Sequence, residues 1–413
     1  MQVVGIIAEY NPFHHGHRFQ IEELRKSYPA ARIVAVMSGS FTQRGAPCVL
    51  DKWMRARHAV TGGADLVLEL PFAFACRSAQ DFARGGVSLL SRLGIVSHLA
   101  FGTEADDLAP LAEIAAQIDT DAVQRRLHDR LERGDSYAGA LTSVLTKDAA
   151  VSEDMLRAPN NILAVEYLRA VQRLAPEITP VAIRRQAAQH GDPALYAGIT
   201  SASSIRRTLA AAVPPWEVLR ESVMPVVLND LRAAHDSGLP QDDILLDLLR
   251  YLFLVTEHSA LIEVSGIAEG IENRLVRYAA AGKYSDFLSN VSTRRYPQSR
   301  IARIIVHLLL HFTKAQAQDF DAGGAAYIRP LAFNTWGRAL LREMKGRAQL
   351  PVITRTAEFL SSEERGRPET DLSPLQRMLS FDTRACELRL LTGAQTAEKE
   401  RRTDFIMSPQ FLP

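Results

Sequence analysis

The chain has 413 residues, of which 47% are hydrophobic, 23% charged and 7% aromatic, values ordinary for soluble globular proteins and unlike disordered, collagen-like or disulfide-dense chains. At roughly 100–200 residues per domain, two or three domains are expected rather than one. Lys and Arg total 48 against 47 Asp and Glu, so no global field draws the chain to nucleic acid or anionic lipid, and any basic surface must be local.

The amino-terminal run MQVVGIIAEYNPF has no Lys or Arg ahead of its apolar part, and Glu9 cuts it short, unlike a signal peptide. The stretch Ile301 to Phe312 contains Arg303, His307 and His311 and falls short of the ~20 residues of a membrane span. Cys48, Cys76 and Cys386 cannot all pair and lack metal-ligand spacing, which suggests thiols in a reducing compartment. A soluble cytoplasmic protein without a membrane partner is expected, and oligomeric state leaves no signal.

In chain order, Val- and Ile-rich runs predict strands at Val3–Ala8, Arg32–Met37, Asp65–Glu69, His98–Phe101 and Thr179–Arg184. Between them, amphipathic stretches predict helices at His17–Ser27, Lys52–Thr61, Ala79–Leu93, Leu108–Ile118 and Asn161–Leu174. This alternation is that of an α/β fold with a Rossmann-like parallel sheet, whose ligands bind at the carboxyl ends of strands where strand order reverses. Beyond Thr208 the strand-like runs stop. Stretches such as Val226–Ala234 and Asp242–Thr256 carry apolar residues at helical steps, so the second half reads as mostly α-helical. The boundary falls near residue 212, before Pro214-Pro215, dividing the chain into 1–212 and 213–413. The tail Arg401–Pro413 reads as an irregular end.

The strongest chemical signal is Gly5-Ile-Ile-Ala-Glu-Tyr-Asn-Pro-Phe-His-His-Gly-His17. A strand runs into a Pro-containing turn, and His14-x-Gly16-His17 then opens a helix. Glycine allows close approach to the backbone, the helix terminus attracts phosphate, and two imidazoles can bond phosphoryl oxygens. That set would stabilise charge on an α-phosphate during transfer. Zinc is the competing reading of His14, His15 and His17, but helical zinc ligands recur at i and i+4, and no Cys or carboxylate pattern completes a site. No resident metal is therefore expected.

A strand followed by HxGH resembles the nucleotidyltransferase superfamily that includes class I aminoacyl-tRNA synthetases. The superfamily's second phosphate element, a Ser/Thr-rich turn leading into Ile-Arg, is matched by Ile199-Thr-Ser-Ala-Ser-Ser-Ile-Arg206. There Ser203 and Ser204 offer hydroxyls and Arg206 can fork onto the β- and γ-phosphates. An ordinary serine cap with a surface arginine is the alternative.

A narrower match runs through GIIAEYNPFHHGH, Val36-Met-Ser-Gly-Ser-Phe-Thr-Gln-Arg-Gly45, Asp51-Lys-Trp53, Gly63-Ala-Asp-Leu-Val-Leu-Glu-Leu-Pro71, Phe101-Gly-Thr-Glu104, Pro159-Asn-Asn-Ile-Leu163 and Tyr327-Ile-Arg-Pro-Leu331. In order, these resemble the bacterial tRNA(Met) cytidine acetate ligase family, across nearly the whole chain. The resemblance implies an enzyme that activates acetate with ATP, with the usual Mg2+, to acetyl-adenylate, and passes the acetyl group to N4 of the wobble cytidine of elongator tRNA(Met). Carried onto this sequence, the family's ATP contacts are Ile7, Ala8, Glu9, Tyr10, Asn11, Pro12, Phe13, His14, His15, Gly16, His17, Arg18, Phe19 and Gln20. To these it adds Gly102, one of Asn160 and Asn161, and one of Arg184 and Arg185. His14, His17 and Arg206 would carry catalysis. Lys52 is a second candidate for the phosphates, equally readable as a solvated lysine in a helix's first turn. No general base for the amine stands out. Glu9 is available, and its competing reading is a structural carboxylate.

For the tRNA, the segment from Lys283 to Lys314 places six cations against the single acid Asp286, with Tyr284 and Tyr296 interleaved. Lys283, Arg294, Arg295, Tyr296 and Arg300 suit phosphates and unpaired bases, although a solvated basic helix face has the same composition. Two further function classes compete: a small-molecule adenylyltransferase, which would need no RNA surface, and a non-catalytic nucleotide- or RNA-binding module, which would need neither histidine.

Overall fold

The computed structural model describes residues 2–105, 107–135, 137–145, 158–185, 201–393 and 403–413. Strands β1 (Val3–Ala8), β2 (Arg32–Ser38), β3 (Leu66–Leu70), β4 (His98–Thr103), β5 (Thr179–Arg184), β6 (Pro330–Phe333) and β7 (Gln410–Phe411) form one sheet in the order β5-β4-β1-β2-β3-β6-β7. The first five pair in parallel, with Gly5 opposite Val34 on β2 and Leu99 on β4. As expected of a sheet covered on both faces, β1 is buried along most of its length. Its alternate residues serve two cores. Val4 and Ile6 join Ile21, Trp53, Ile205 and Val227 on one face. Val3 and Ile7 join Phe82, Leu90, Tyr167 and, from the second half, Ile305, Phe312 and Phe381 on the other.

The predicted helices form, among them His15–Ser27, Lys52–Thr61, Ala79–Arg92, Pro159–Leu174, Pro225–Asp236 and Asp242–Val255. Two expectations about the second half are corrected. Strand structure does not stop at Thr208, because β6 pairs antiparallel with β3, placing Leu66 opposite Phe333 and Val67 opposite Ala332. Pro330, which has no N–H to donate, takes the strand's first position. Nor is the tail wholly irregular: Gln410 and Phe411 pair in parallel with Ala332 and Phe333.

Candidate active site

Chain order reverses at β1, which leads outward to β2 on one side and has β4 on the other. At the carboxyl ends of these strands lies a cavity of about 420 Å³, reached by Ile7 and Ala8 of β1, Phe101 and Gly102 of β4, and Arg185 just past β5. This is the position where open α/β sheets hold ligands.

His14 and His17 both line it. His14 is the N-cap of helix His15–Ser27, in extended conformation, and its Nδ1 accepts from the Gly16 N–H at 3.0 Å. The His17 Nδ1 accepts in turn from the His14 N–H at 3.2 Å. The rings stack with centroids 3.8 Å apart, and Tyr10 sets its ring against the edge of His17 at 4.8 Å. Burial, helped by the Arg185 cation, pushes His14 down to about 3 and holds His17 well below the ordinary imidazole value. Both rings are therefore neutral near pH 7. With each Nδ1 accepting from backbone, the proton resides on Nε2, which makes each Nε2–H a donor.

The Ser-rich element arrives at the same cavity. Ser201 caps helix Ala202–Leu209 through the Ser204 N–H, 3.1 Å from its Oγ. Ser203 lines the cavity, whereas Ser204 turns into the core and bonds the Ser201 hydroxyl at 2.9 Å. Ile199 and Thr200 of the motif lie outside the described residues. Arg206 lines the cavity and donates to the Asn11 carbonyl at 2.7 Å, so the two phosphate elements, 195 positions apart along the chain, are tied directly together.

The ambiguous pairs separate. Asn160 faces the cavity and bonds Glu104. Asn161 is buried, and its Oδ1 accepts from Thr103 Oγ1 at 2.7 Å and the Glu104 N–H at 2.9 Å, fixing the turn after β4. Arg185 lines the cavity, and a Cβ on Gly102 would sit 3.2 Å from its Cγ. Arg184 is exposed and outside the lining.

Within the first loop Ile7, Ala8, Glu9, Tyr10, Asn11, His14, His17 and Gln20 line the cavity, and the remainder do not. Pro12 and Phe13 are buried, Phe13 in the core beneath. His15 donates its N–H to the Ser222 carbonyl, and Arg18 pairs with Glu22 in solvent. Gly16 supplies its N–H to the His14 cap, while Phe19 is half-buried. The Glu9 carboxylate accepts from the Gln43 N–H at 2.6 Å, in keeping with its structural reading. Lys52 is corrected: it is fully buried, outside the lining, and bonded to Glu69 at 2.6 Å. Sequence reasoning did not single out Gln43, Arg44, Ala79, Phe82, Tyr167 and Arg207, which, with Leu163, Ser201 and Ala202, complete the lining. Only Gln43 and Arg44 left a signal, inside the VMSGSFTQRG motif.

A HIGH Nucleotidyl Transferase family model matches residues 1–404. The chain is 36% identical over 375 residues to the tRNA(Met) cytidine acetate ligase of Caldanaerobacter subterraneus subsp. tengcongensis, covering 89% of this chain and 92% of that one. It is 33% identical over 419 residues to that of Syntrophomonas wolfei, covering 99% of each. The chain belongs to the tRNA(Met) cytidine acetate ligase family. Its fold is that of Thermotoga maritima TmcAL, at a TM-score of 0.88 and 30% identity to the apo crystal structure over the whole of both chains. Against the same protein bound with alpha-thio ATP the TM-score is 0.86, at 29% identity over the whole of both chains.

In this member of the tRNA(Met) cytidine acetate ligase family the basic segment touches the first half of the chain through Arg294 and Arg303. Lys283 and Arg294 are exposed, and Arg294 pairs with Asp135 at 2.7 Å. Arg295 pairs with Glu269. Tyr296 does not offer a free face for a base: its ring is buried, its hydroxyl donates to the Ala268 carbonyl at 2.8 Å, and Arg300 covers it at 3.9 Å. Tyr284 is buried as well. Among the described residues no group of three His, Cys, Asp or Glu side chains could hold a metal ion, and no helix is long and apolar enough to cross a membrane.

Proposed function

We propose that this protein is an ATP-dependent ligase that acetylates the wobble cytidine of elongator tRNA(Met), forming N4-acetylcytidine. ATP enters as its magnesium complex. A carboxylate oxygen of acetate attacks the α-phosphorus, pyrophosphate leaves, and acetyl-adenylate remains. The N4 amine then attacks the acetyl carbonyl carbon, AMP departs, and the amine gives up a proton. Acyl-adenylates are reactive enough that holding the amine against the carbonyl supplies most of the second step.

One observation carries the reading: the stacked imidazoles of His14 and His17, each Nδ1 accepting from backbone, share a cavity with the Arg206 guanidinium of the Ser-rich turn. Donors fixed before reaction stabilise charge developing on the α-phosphate without reorganisation. Arg206 takes the departing pyrophosphate, Ser203 a phosphate oxygen, Asn160 and Arg185 the adenosine. The alpha-thio ATP bound by the Thermotoga maritima relative supports ATP as the ligand. Residues 1–212 supply the nucleotide chemistry and 213–413 the tRNA surface, with Lys283, Arg294, Arg295 and Arg300 toward phosphates and Tyr296 as support beneath Arg300. The buried thiols of Cys48, Cys76 and Cys386, none of them in a disulfide, suit a reducing cytoplasm.

Incubation with labelled ATP, acetate and bulk tRNA, followed by digestion and mass analysis, tests the proposal, and acetylcytidine is the expected product. Acid-dependent exchange of pyrophosphate into ATP without any modified nucleoside would instead indicate a small-molecule adenylyltransferase. No exchange with any acid would indicate a binding module.

A further inference from the structure

The loop after β2 closes as a tight hairpin. Phe41 bridges Pro47, the Thr42 N–H bonds the Ala46 carbonyl at 2.9 Å, and the Gly45 N–H bonds the Thr42 carbonyl at 3.0 Å. Its tip is tethered on three sides through Gln43. The Gln43 N–H donates to Glu9 at the end of β1, its side-chain amide donates to the Arg77 carbonyl at 2.7 Å, and its carbonyl accepts from Arg303 at 3.3 Å. Gly45 has φ +86°, and a Cβ there would fall 2.6 Å from the backbone of Ala302 and Arg303. Only glycine fits both the conformation and the contact. The hairpin is thus pressed onto the helix Gln298–Leu310, at one end of the basic segment.

At the tip stands Arg44, exposed and at the same time lining the cavity. Its charge is felt at Arg206 and at Arg303, beside the carboxylates of Glu9 and Asp242 near the first and of Asp81 near the second. An exposed guanidinium at a cavity rim can take a phosphate group through its fork of N–H donors. His14, His17, Ser203 and Arg206 line the same cavity, and Arg44 joins them from the exposed tip of the hairpin. A base modified within a tRNA loop must be splayed from its stack to enter an active site, which leaves its flanking phosphodiester at the rim.

Resting on the ligase reading above, we propose that the hairpin 41–47 forms the acceptor-nucleotide subsite, with Arg44 binding an RNA phosphodiester beside the reactive cytidine. The rigid tip converts docking on the basic helix into placement of the amine over the acetyl-adenylate.

The test compares two reactions of the full-length chain as wild type, Arg44→Ala and Arg44→Lys: acetate-dependent pyrophosphate exchange, and acetylation of elongator tRNA(Met) transcript. Thermal melting of each variant reports its folding. Arg44→Ala is expected to lower transfer at least about tenfold further than exchange. It should also reduce the slope of log affinity for tRNA against log salt by about one, and Arg44→Lys should restore that slope. A parallel fall in both reactions would assign Arg44 to ATP and overturn the proposal, as would an unchanged transfer rate. Failure of the ligase reading looks different: the wild type itself would then yield no acetylcytidine.

Discussion

Lys52 and Asp404, 352 positions apart, meet inside the protein with the ammonium 2.7 Å from a carboxylate oxygen. Glu69 on β3 and Arg329 just before β6 complete the group, with Arg329 3.0 Å from Glu69 and 3.2 Å from Asp404. All four are fully buried, so each charge depends on the others for what water would otherwise supply.

Replacing Lys52 with Met should therefore cost stability rather than chemistry, by about 3–5 kcal/mol, because it leaves buried carboxylates undercompensated. Urea unfolding at pH 7 measures the loss. Full stability combined with a raised KM for ATP would return Lys52 to the phosphates.

His14→Asn retains an acceptor suited to an N-cap but removes the Nε2–H. Pyrophosphate exchange should fall about 10²-fold, the scale of losing one preorganised donor, with tRNA affinity unchanged in a gel-shift titration. The same variant tests the protonation argument. Folded His14 titrates at about 3 against 6.5 unfolded, so between those values the unfolded chain binds the extra proton. Stability supplied by this site is complete above pH 6.5 and drains away as pH falls toward 3. Urea midpoints measured from pH 4 to 7 should depend less on pH in His14→Asn than in the wild type.

Neighbouring asparagines should give opposite results. Asn161→Ala strands Thr103 Oγ1 and the Glu104 N–H and should destabilise by about 1–3 kcal/mol. Asn160→Ala should raise the KM for ATP with little change in melting temperature. Steady-state kinetics and thermal unfolding, run on both variants, read the difference.

Tyr296→Phe removes only the hydroxyl bonded to Ala268. About 1 kcal/mol of stability should be lost while tRNA affinity stays the same. A large loss of affinity with unchanged stability would instead give the Tyr296 hydroxyl a contact with the RNA.

The five parallel strands were legible because a sheet covered on both faces writes itself as Val- and Ile-rich runs. β6 was not, since in Tyr-Ile-Arg-Pro-Leu-Ala-Phe a buried arginine precedes the strand and a proline opens its four residues, whose partner strand lies over 260 positions upstream. Both turns that meet at the cavity, at His14–His17 and Ser201–Arg206, were readable from local turn chemistry. The choice between Asn160 and Asn161, or Arg184 and Arg185, was not, because adjacent residues differ only in where the helix or strand end points them. Lys52 misled for a related reason: nothing near it in the chain announces Asp404. Tyr296 misled because interleaved aromatics look alike whether they cover a base or a neighbouring guanidinium.

The antiparallel pairing of β6 with β3 has a mechanical consequence. It stitches the helical half into the same ladder as the parallel strands, so this half, proposed above as the tRNA surface, cannot swing on a linker as a separately hinged module would. Under the proposed function, the distance from docked anticodon to activated acetyl group is then a fixed gauge, and a tRNA whose loop does not reach fails by geometry alone.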